Sequence, residues 1–135
     1  AGERGTLLRS TDSGATWTPL TVAYTGSFYG VLPLERGALL AYGLRGHVFR
    51  SEDDGRTWQQ TPMPEPVLLA SAVKLKGDTI VVAGQSRALW ISRDLGRTFT
   101  PLPDAAPASV AELLELPDGD LLALGEAGAT VIPKP

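Results

Sequence analysis

One octapeptide recurs three times at a fixed interval, and that recurrence constrains the fold more than any other feature. Ser10-Thr-Asp12-Ser-Gly14-Ala-Thr16-Trp17 returns as Ser51-Glu-Asp53-Asp-Gly55-Arg-Thr57-Trp58 and again as Ser92-Arg-Asp94-Leu-Gly96-Arg-Thr98-Phe99, each copy 41 residues after the last. The same offset aligns Gly2, Gly43, Gly84 and Gly125, and Leu8, Phe49, Trp90 and Val131, without a gap. A period of this size belongs to solenoids, propellers and arrays, in which one supersecondary unit buries its faces against its neighbours.

Within each period the patterns are short and strand-like, such as Gly46-His-Val-Phe-Arg-Ser51 and Thr79-Ile-Val-Val-Ala83, punctuated by Gly, Asp or Pro. The strongest rival is Ala108 to Leu116, where Val110, Leu113 and Leu114 fit a helical face. At the repeat offset that stretch falls on Leu68–Leu75 and Ser27–Leu34, and the latter contains Gly30 and Pro33, both poor in a helix. The repeat therefore predicts a strand there. Each unit reads as four strands, at about 26–34, 38–42, 46–51 and 56–60 and their equivalents one period on.

Four antiparallel strands in about 40 residues make the blade of a β-propeller. Apolar residues on both faces of a strand, as in Val31 with Leu32 and Ile80 with Val81, suit a blade covered on both sides by other blades. The expected fold is all-β, a propeller segment of about three blades, with repeat units at about 1–43, 44–84, 85–125 and the start of another at 126–135. In strand order the chain holds the last two strands of one blade, two whole blades, and the first three strands of another. Propellers close with about four to eight blades. Such a segment is expected to form part of a larger propeller, completed by the rest of a longer chain or, as the second choice, by oligomerisation.

Composition removes several function classes. With no Cys and one His, the 135 residues offer no disulfide scaffold, thiolate metal site, Cys nucleophile or His-rich zinc site. Twelve Lys and Arg stand against fifteen Asp and Glu, for a formal charge of −3 and no basic run, so no nucleic-acid partner is expected. The longest apolar runs, such as Ala38 to Tyr42, are too short for a transmembrane segment. No cofactor and no metal are expected.

The octapeptide itself carries turn chemistry. Its Asp can accept hydrogen bonds from the backbone N–H groups that follow, its Gly can take a positive φ, and its Thr re-enters a strand. Trp17, Trp58 and Phe99 are expected to pack between blades. The structural set is thus Ser10, Asp12, Gly14, Thr16 and Trp17, with Ser51, Asp53, Gly55, Thr57 and Trp58, and Ser92, Asp94, Gly96, Thr98 and Phe99.

These residues resemble the Asp-box, or bacterial neuraminidase (BNR) repeat, of sialidases, sortilin-type receptors and propeller-type photosystem II assembly and stability factors. The longer pattern from Gly43-Leu-Arg-Gly46 to Trp58, echoed by Gly2-Glu-Arg-Gly5-Thr-Leu-Leu8-Arg-Ser10, is most similar to the last group. The third unit departs from it, with Gln85-Ser86-Arg87 lacking the second Gly and Phe99 replacing Trp. The resemblance implies a protein-binding scaffold and, because most Asp-box propellers are exported, a periplasmic or secreted location.

Candidate chemistry is sparse. A sialidase-like glycoside hydrolase or a carbohydrate-binding propeller is the alternative, but no Arg-Ile-Pro motif is present and Tyr42 reads as a packing residue beside Tyr24 and Tyr29. Asp12, Asp53 and Asp94 are equivalent positions on separate blades, which excludes paired-carboxylate catalysis between them. Glu112 aligns with Gly30 and Ser71 on an otherwise apolar series, and so must meet solvent or a partner. His47 stands alone, and Asp53-Asp54-Gly55 lacks the alternate acids of a calcium loop. Arg4, Arg45 and Arg87 fall in the loops joining second and third strands, where they would form a cationic rim. Arg9, Arg50, Arg56 and Arg97 flank the octapeptide and are expected to support it. The sequence therefore reads as a non-enzymatic interaction or assembly scaffold for a protein partner, with Arg4, Arg45, Arg87, Tyr29 and Glu112 as the partner-binding candidates.

Overall fold

Each 41-residue period becomes one antiparallel sheet. The computed structural model describes residues 1–102 and 106–135. The first sheet pairs β1 (Leu7–Arg9) with β2 (Thr18–Leu20). The second runs in chain order through β3 (Phe28–Pro33), β4 (Leu39–Gly43), β5 (Val48–Ser51) and β6 (Gln59–Thr61). The third repeats it with β7 (Leu69–Lys74), β8 (Ile80–Gly84), β9 (Leu89–Ser92) and β10 (Thr100–Pro101), and the fourth holds β11 (Val110–Glu115), β12 (Leu121–Gly125) and β13 (Gly128–Ile132). Among the described residues, sheets of two, four, four and three strands match the expected count, and the fold is a partial β-propeller. The fourth strand of a blade starts about three residues later than the sequence suggested, because the octapeptide turn runs on through its Thr. No described helix is long and apolar enough to cross a membrane.

The period of two along a strand sends alternate side chains to opposite sides of a blade, and here both sides are interior. On β8, Ile80 and Val82 join a core with Leu40, Tyr42 and Val48 of the preceding blade. Their neighbours Val81 and Ala83 join another core with Val110, Leu113, Leu121 and Ala123 of the following blade. All four β8 residues are completely buried. On β4, Ala41 faces Leu7 of the first sheet while Leu40 and Tyr42 face the third. Burying a Val, Leu or Ile side chain contributes about 1.5–3 kcal/mol, so the strands that serve two cores are the main source of cohesion.

The helix-like spacing of Val110 and Leu113 has a local cause. A β-bulge between Val110 and Glu112 inserts one extra residue, so that two buried positions stand three apart on a strand. The same irregularity lies between Phe28 and Gly30 and between Leu69 and Ser71, one period apart each time. Glu112 therefore leaves the buried face of Val110 and is exposed along with Leu114.

The octapeptide folds into one turn three times. At Asp53, Oδ1 accepts from the Thr57 N–H at 2.8 Å and Oδ2 from the Thr57 hydroxyl at 2.7 Å, while the Ser51 Oγ accepts from the Gly55 N–H at 2.9 Å. Asp12 and Asp94 repeat these bonds with Thr16 and Thr98. The turns of the second and third blades also reach the blade before. A Cβ on Gly96, whose φ is +80°, would come within 2.9 Å of Leu40 Cδ1, so this position needs glycine for both conformation and space. The carbonyls at the head of the turn are gripped from the same side, Asp54 O by Arg9 Nη1 at 3.0 Å and Leu95 O by Arg50 Nε at 2.7 Å. Thr61 Oγ1 adds a bond to Gly96 O at 2.9 Å, and Arg97 Nη2 joins Glu52 at 2.8 Å, with Arg50 on the same carboxylate. Arg56 is exposed.

The three aromatics of the octapeptides differ in burial, which corrects the expectation that all pack between blades. Phe99 is buried, Trp58 is half-buried against the core around Leu7 and Phe49, and Trp17 is 58% exposed. Trp58 and Phe99 rest on the blade before their own, and for Trp17 no such blade lies among the described residues. Phe99→Ala is expected to cost about 3–5 kcal/mol in urea unfolding and Trp17→Ala less than about 1, with Trp58→Ala between them. Equal losses at all three positions contradict the packing order.

The turns also make a pH prediction. The Thr16 hydroxyl and N–H hold Asp12 at about 2, Thr57 does the same for Asp53, and at Asp94 burial pushes up but the Thr98 bonds prevail, again giving about 2. A carboxylate depressed in the folded state stabilises it above the ordinary value of 3.8, and that contribution is lost as pH falls toward 2. Carboxyl-carbon NMR is expected to show these three aspartates titrating near 2, and unfolding free energy to fall below about pH 4. A midpoint near 3.8 at Asp53 means that its turn is not closed.

Candidate functional site

The strand directions divide the loops between two rims. The octapeptide turns share one rim with the hairpins joining first and second strands, as Asp54 N–H to Gly37 O and Leu95 N–H to Asp78 O show, at 2.9 and 3.0 Å. Lys74 and Glu35 pair across blades at that end, 3.0 Å apart. The repeated Ser, Asp and Thr of these turns are engaged in closing them, while Arg36, Arg56, Lys76 and Arg93 are exposed on this rim without an ion pair among the described residues.

The opposite rim carries the hairpins joining second and third strands, together with the loops leading into each first strand. Gly5 N–H bonds to Gly26 O and Gly46 N–H to Val67 O, one period apart, which ties each hairpin to the loop beside it. Arg4 and Arg45 sit at equivalent tips, both exposed and both left-handed, with φ of 55° and 56°. Neither enters an ion pair among the described residues. Arg87 occupies the column of Gly5 and Gly46 rather than that of Arg4, with Ser86 taking the Arg4 place, and both are left-handed, at 62° and 57°. Its Nε donates to Ala106 O at 3.0 Å, so this guanidinium is partly engaged by the loop beneath it.

Under the Arg45 hairpin, Tyr24 donates to Leu44 O at 3.4 Å and lies 4.7 Å from the His47 ring, which in turn meets Leu44 O through Nδ1 at 3.0 Å. Burial pushes the Tyr24 hydroxyl up in pKa, and Arg45 offsets part of that. His47 is thus a hairpin support, and no cluster of three metal-ligating groups exists among the described residues.

Toward the same rim, the three bulges set Gly30, Ser71 and Glu112 side by side on β3, β7 and β11. Glu112 Oε1 accepts the Ser71 hydroxyl at 2.6 Å, and Ser71 Oγ accepts the Leu113 N–H at 3.1 Å. Ser71 is 2% exposed, whereas Glu112 reaches solvent. Gly30 has no side chain, and the Tyr42 phenol fills the space: a Cβ there would stand 2.2 Å from the Tyr42 oxygen. Burial pushes Tyr42 up in pKa and the charge of Glu112 adds to that, while Ala72 backbone opposes it. Tyr29, beside Gly30, is 54% exposed.

The structure therefore brings Arg4, Arg45, Arg87, Tyr29 and Glu112 to one end of the blades. Ser71 and Tyr42 are not among the site residues expected from the sequence. The signal was present, since Ser71 is the repeat equivalent of Glu112, but two residues 41 apart meet only when adjacent inner strands lie level. Away from this rim, a cavity of about 310 Å³ lies between the first two sheets, lined by Leu7, Leu8, Leu20, Val31, Leu39 and Trp58. It flanks the inner edge of β1, which pairs with β2 alone.

Blades of antiparallel strands packed face to face, with loops gathered on two rims, define a β-propeller segment. Among solved structures, a chain described as YCF48 bound to D1 peptide superposes with a TM-score of 0.73 at 22% identity, covering 93% of this chain and 44% of its own. Seventeen chains of solved structures match in all. At that identity the likeness establishes the fold, and this chain spans less than half the length of its neighbour. No family model matches the sequence, and no curated protein matches it significantly.

The fit of Tyr42 against Gly30 is directly testable. Gly30→Ala is expected to cost about 1–3 kcal/mol by overpacking, and most of that loss is expected to vanish in a Tyr42→Ala background. A loss of equal size in both backgrounds contradicts the contact.

Proposed function

We propose that this chain belongs to a non-enzymatic Asp-box propeller, akin to photosystem II assembly factors, that holds a protein segment on the rim bearing Arg4, Arg45 and Arg87. The observation that carries the reading is the division of labour between the rims. Repeated residues such as Asp53, Thr57 and Arg50 are engaged in turns and blade contacts. The hairpin tips present Arg4 and Arg45, at equivalent repeat positions, to solvent without an ion-pair partner among the described residues. An unpaired, exposed guanidinium can offer a fork to carboxylates, so the fitting partner segment is acidic. The neighbour named as YCF48 is described as bound to a peptide, which supports the same use of the fold.

The ring is completed by further blades from a longer chain, with a second copy of this segment as the lesser choice. The inner edge of β1 and the outer edge of β13 lack strand partners among the described residues, and the neighbour is more than twice as long. Export to the periplasm or beyond follows from the Asp-box resemblance.

Replacing Arg4 and Arg45 together by Glu reverses charge at two exposed tips and touches no core contact. In the intact protein this is expected to slow partner association about tenfold at low salt, while the melting temperature stays within about 2 °C. Capture of the same proteins at the same rate by wild type and double variant, followed by quantitative mass spectrometry, overturns the rim assignment.

A further inference from the structure

We propose that Glu112, clamped by Ser71 in the row of inner-strand bulges, is the acceptor for a basic side chain, Lys or Arg, of the segment bound at this rim. The inference rests on the protein-binding reading above and extends it: the bound segment pairs a cation with its acidic residues.

Three features carry the argument. The Glu112 side chain is exposed yet held, because its Oε1 accepts both the Ser71 hydroxyl at 2.6 Å and the Leu113 N–H at 3.2 Å. Holding a free Glu in one rotamer costs up to about 2 kcal/mol, and that ordering is already present here without any ligand. The clamp comes from a buried residue of another blade: Ser71 is 98% withdrawn from solvent and also bonded to the Leu113 N–H, so it cannot turn away. Finally, Oε2 has no hydrogen-bond or ion-pair partner among the described residues, although the carboxylate sits in a protein with four described ion pairs.

A structural strut needs only the bonded oxygen, for which a Ser or Asn at 112 would serve. What the carboxylate adds is a second oxygen with its charge, on an exposed residue at the level of the rim. Such an oxygen gains most from a charge-assisted bond to ammonium or guanidinium. Tyr42 closes the floor of the same row: its buried phenol near Glu112 leaves no room for a water-filled space under Gly30. Ser71 is a positioning residue in this scheme, and Glu112 makes the contact.

The test uses the intact protein and an array of random synthetic dodecapeptides, comparing wild type with Glu112→Gln, Ser71→Ala and the Arg4→Glu/Arg45→Glu double variant. Gln keeps the acceptor for Ser71 and removes only the charge. Wild type is expected to enrich Lys or Arg together with Asp or Glu. Glu112→Gln is expected to keep the acidic preference and lose the basic one by about fivefold, the effect of one exposed charge-assisted contact. Ser71→Ala is expected to weaken the basic preference less, with the acidic preference intact. The double variant shows the converse loss. An unchanged Lys and Arg preference in Glu112→Gln overturns this inference while leaving the rim reading standing. No peptide retained by wild type overturns both.

Discussion

The second and third blades of this protein are each fastened to the one before through the head of the octapeptide turn. Leu95 and Gly96 of the third blade accept hydrogen bonds from Arg50 and Thr61 of the second, and the absence of a side chain at Gly96 lets Leu40 approach. Asp54 of the second blade is held by Arg9 of the first in the same way. The turn can serve this purpose only because it is rigid, and it is rigid because Asp53 or Asp94 satisfies the N–H and hydroxyl of the Thr four residues on. A pair of local carboxylate bonds thus holds in place the carbonyls that join one sheet to the next. The buried faces of β4 and β8 then close against their neighbours, with consecutive residues serving different cores.

Committing one rim to this fastening leaves the other chemically variable. Equivalent hairpin tips read Arg4, Arg45 and Ser86, and equivalent bulge positions read Gly30, Ser71 and Glu112. The frame holds these positions at constant spacing while their side chains differ. Recognition by a regular frame with irregular tips is a common use of repeat architectures. Here the tips supply cations and the bulge row supplies one held anion, a mixed surface despite the mildly acidic balance of the chain.

Much of the architecture was legible because a period of 41 admits few folds, and because the repeat could overrule a local pattern. Ala108 to Leu116 looked helical by itself, and only its alignment with Gly30 and Pro33 argued for a strand. The structure supplies the missing reason, a bulge that spaces Val110 and Leu113 like a helix turn. Aromatic packing was legible less well. Trp17, Trp58 and Phe99 are the same residue class at the same repeat position, yet their burial runs from exposed to buried, because each depends on a different blade.

The amino-acid sequence by itself determined the strand order, the blade count, the turn chemistry of Asp12, Asp53 and Asp94, and the loops to which Arg4 and Arg45 belong. These follow from local rules repeated at fixed spacing, and each can be stated without knowing what lies across the molecule. Tertiary structure alone decided that Arg87 would turn onto Ala106, that Tyr42 would fill the place of a side chain at Gly30, and that Ser71 would clamp Glu112. Those contacts join separate strands and loops, and two adjacent inner strands must lie level before a serine can reach a glutamate 41 residues away. Periodicity states which positions are equivalent. Whether equivalent positions touch is set by how closely the blades pack.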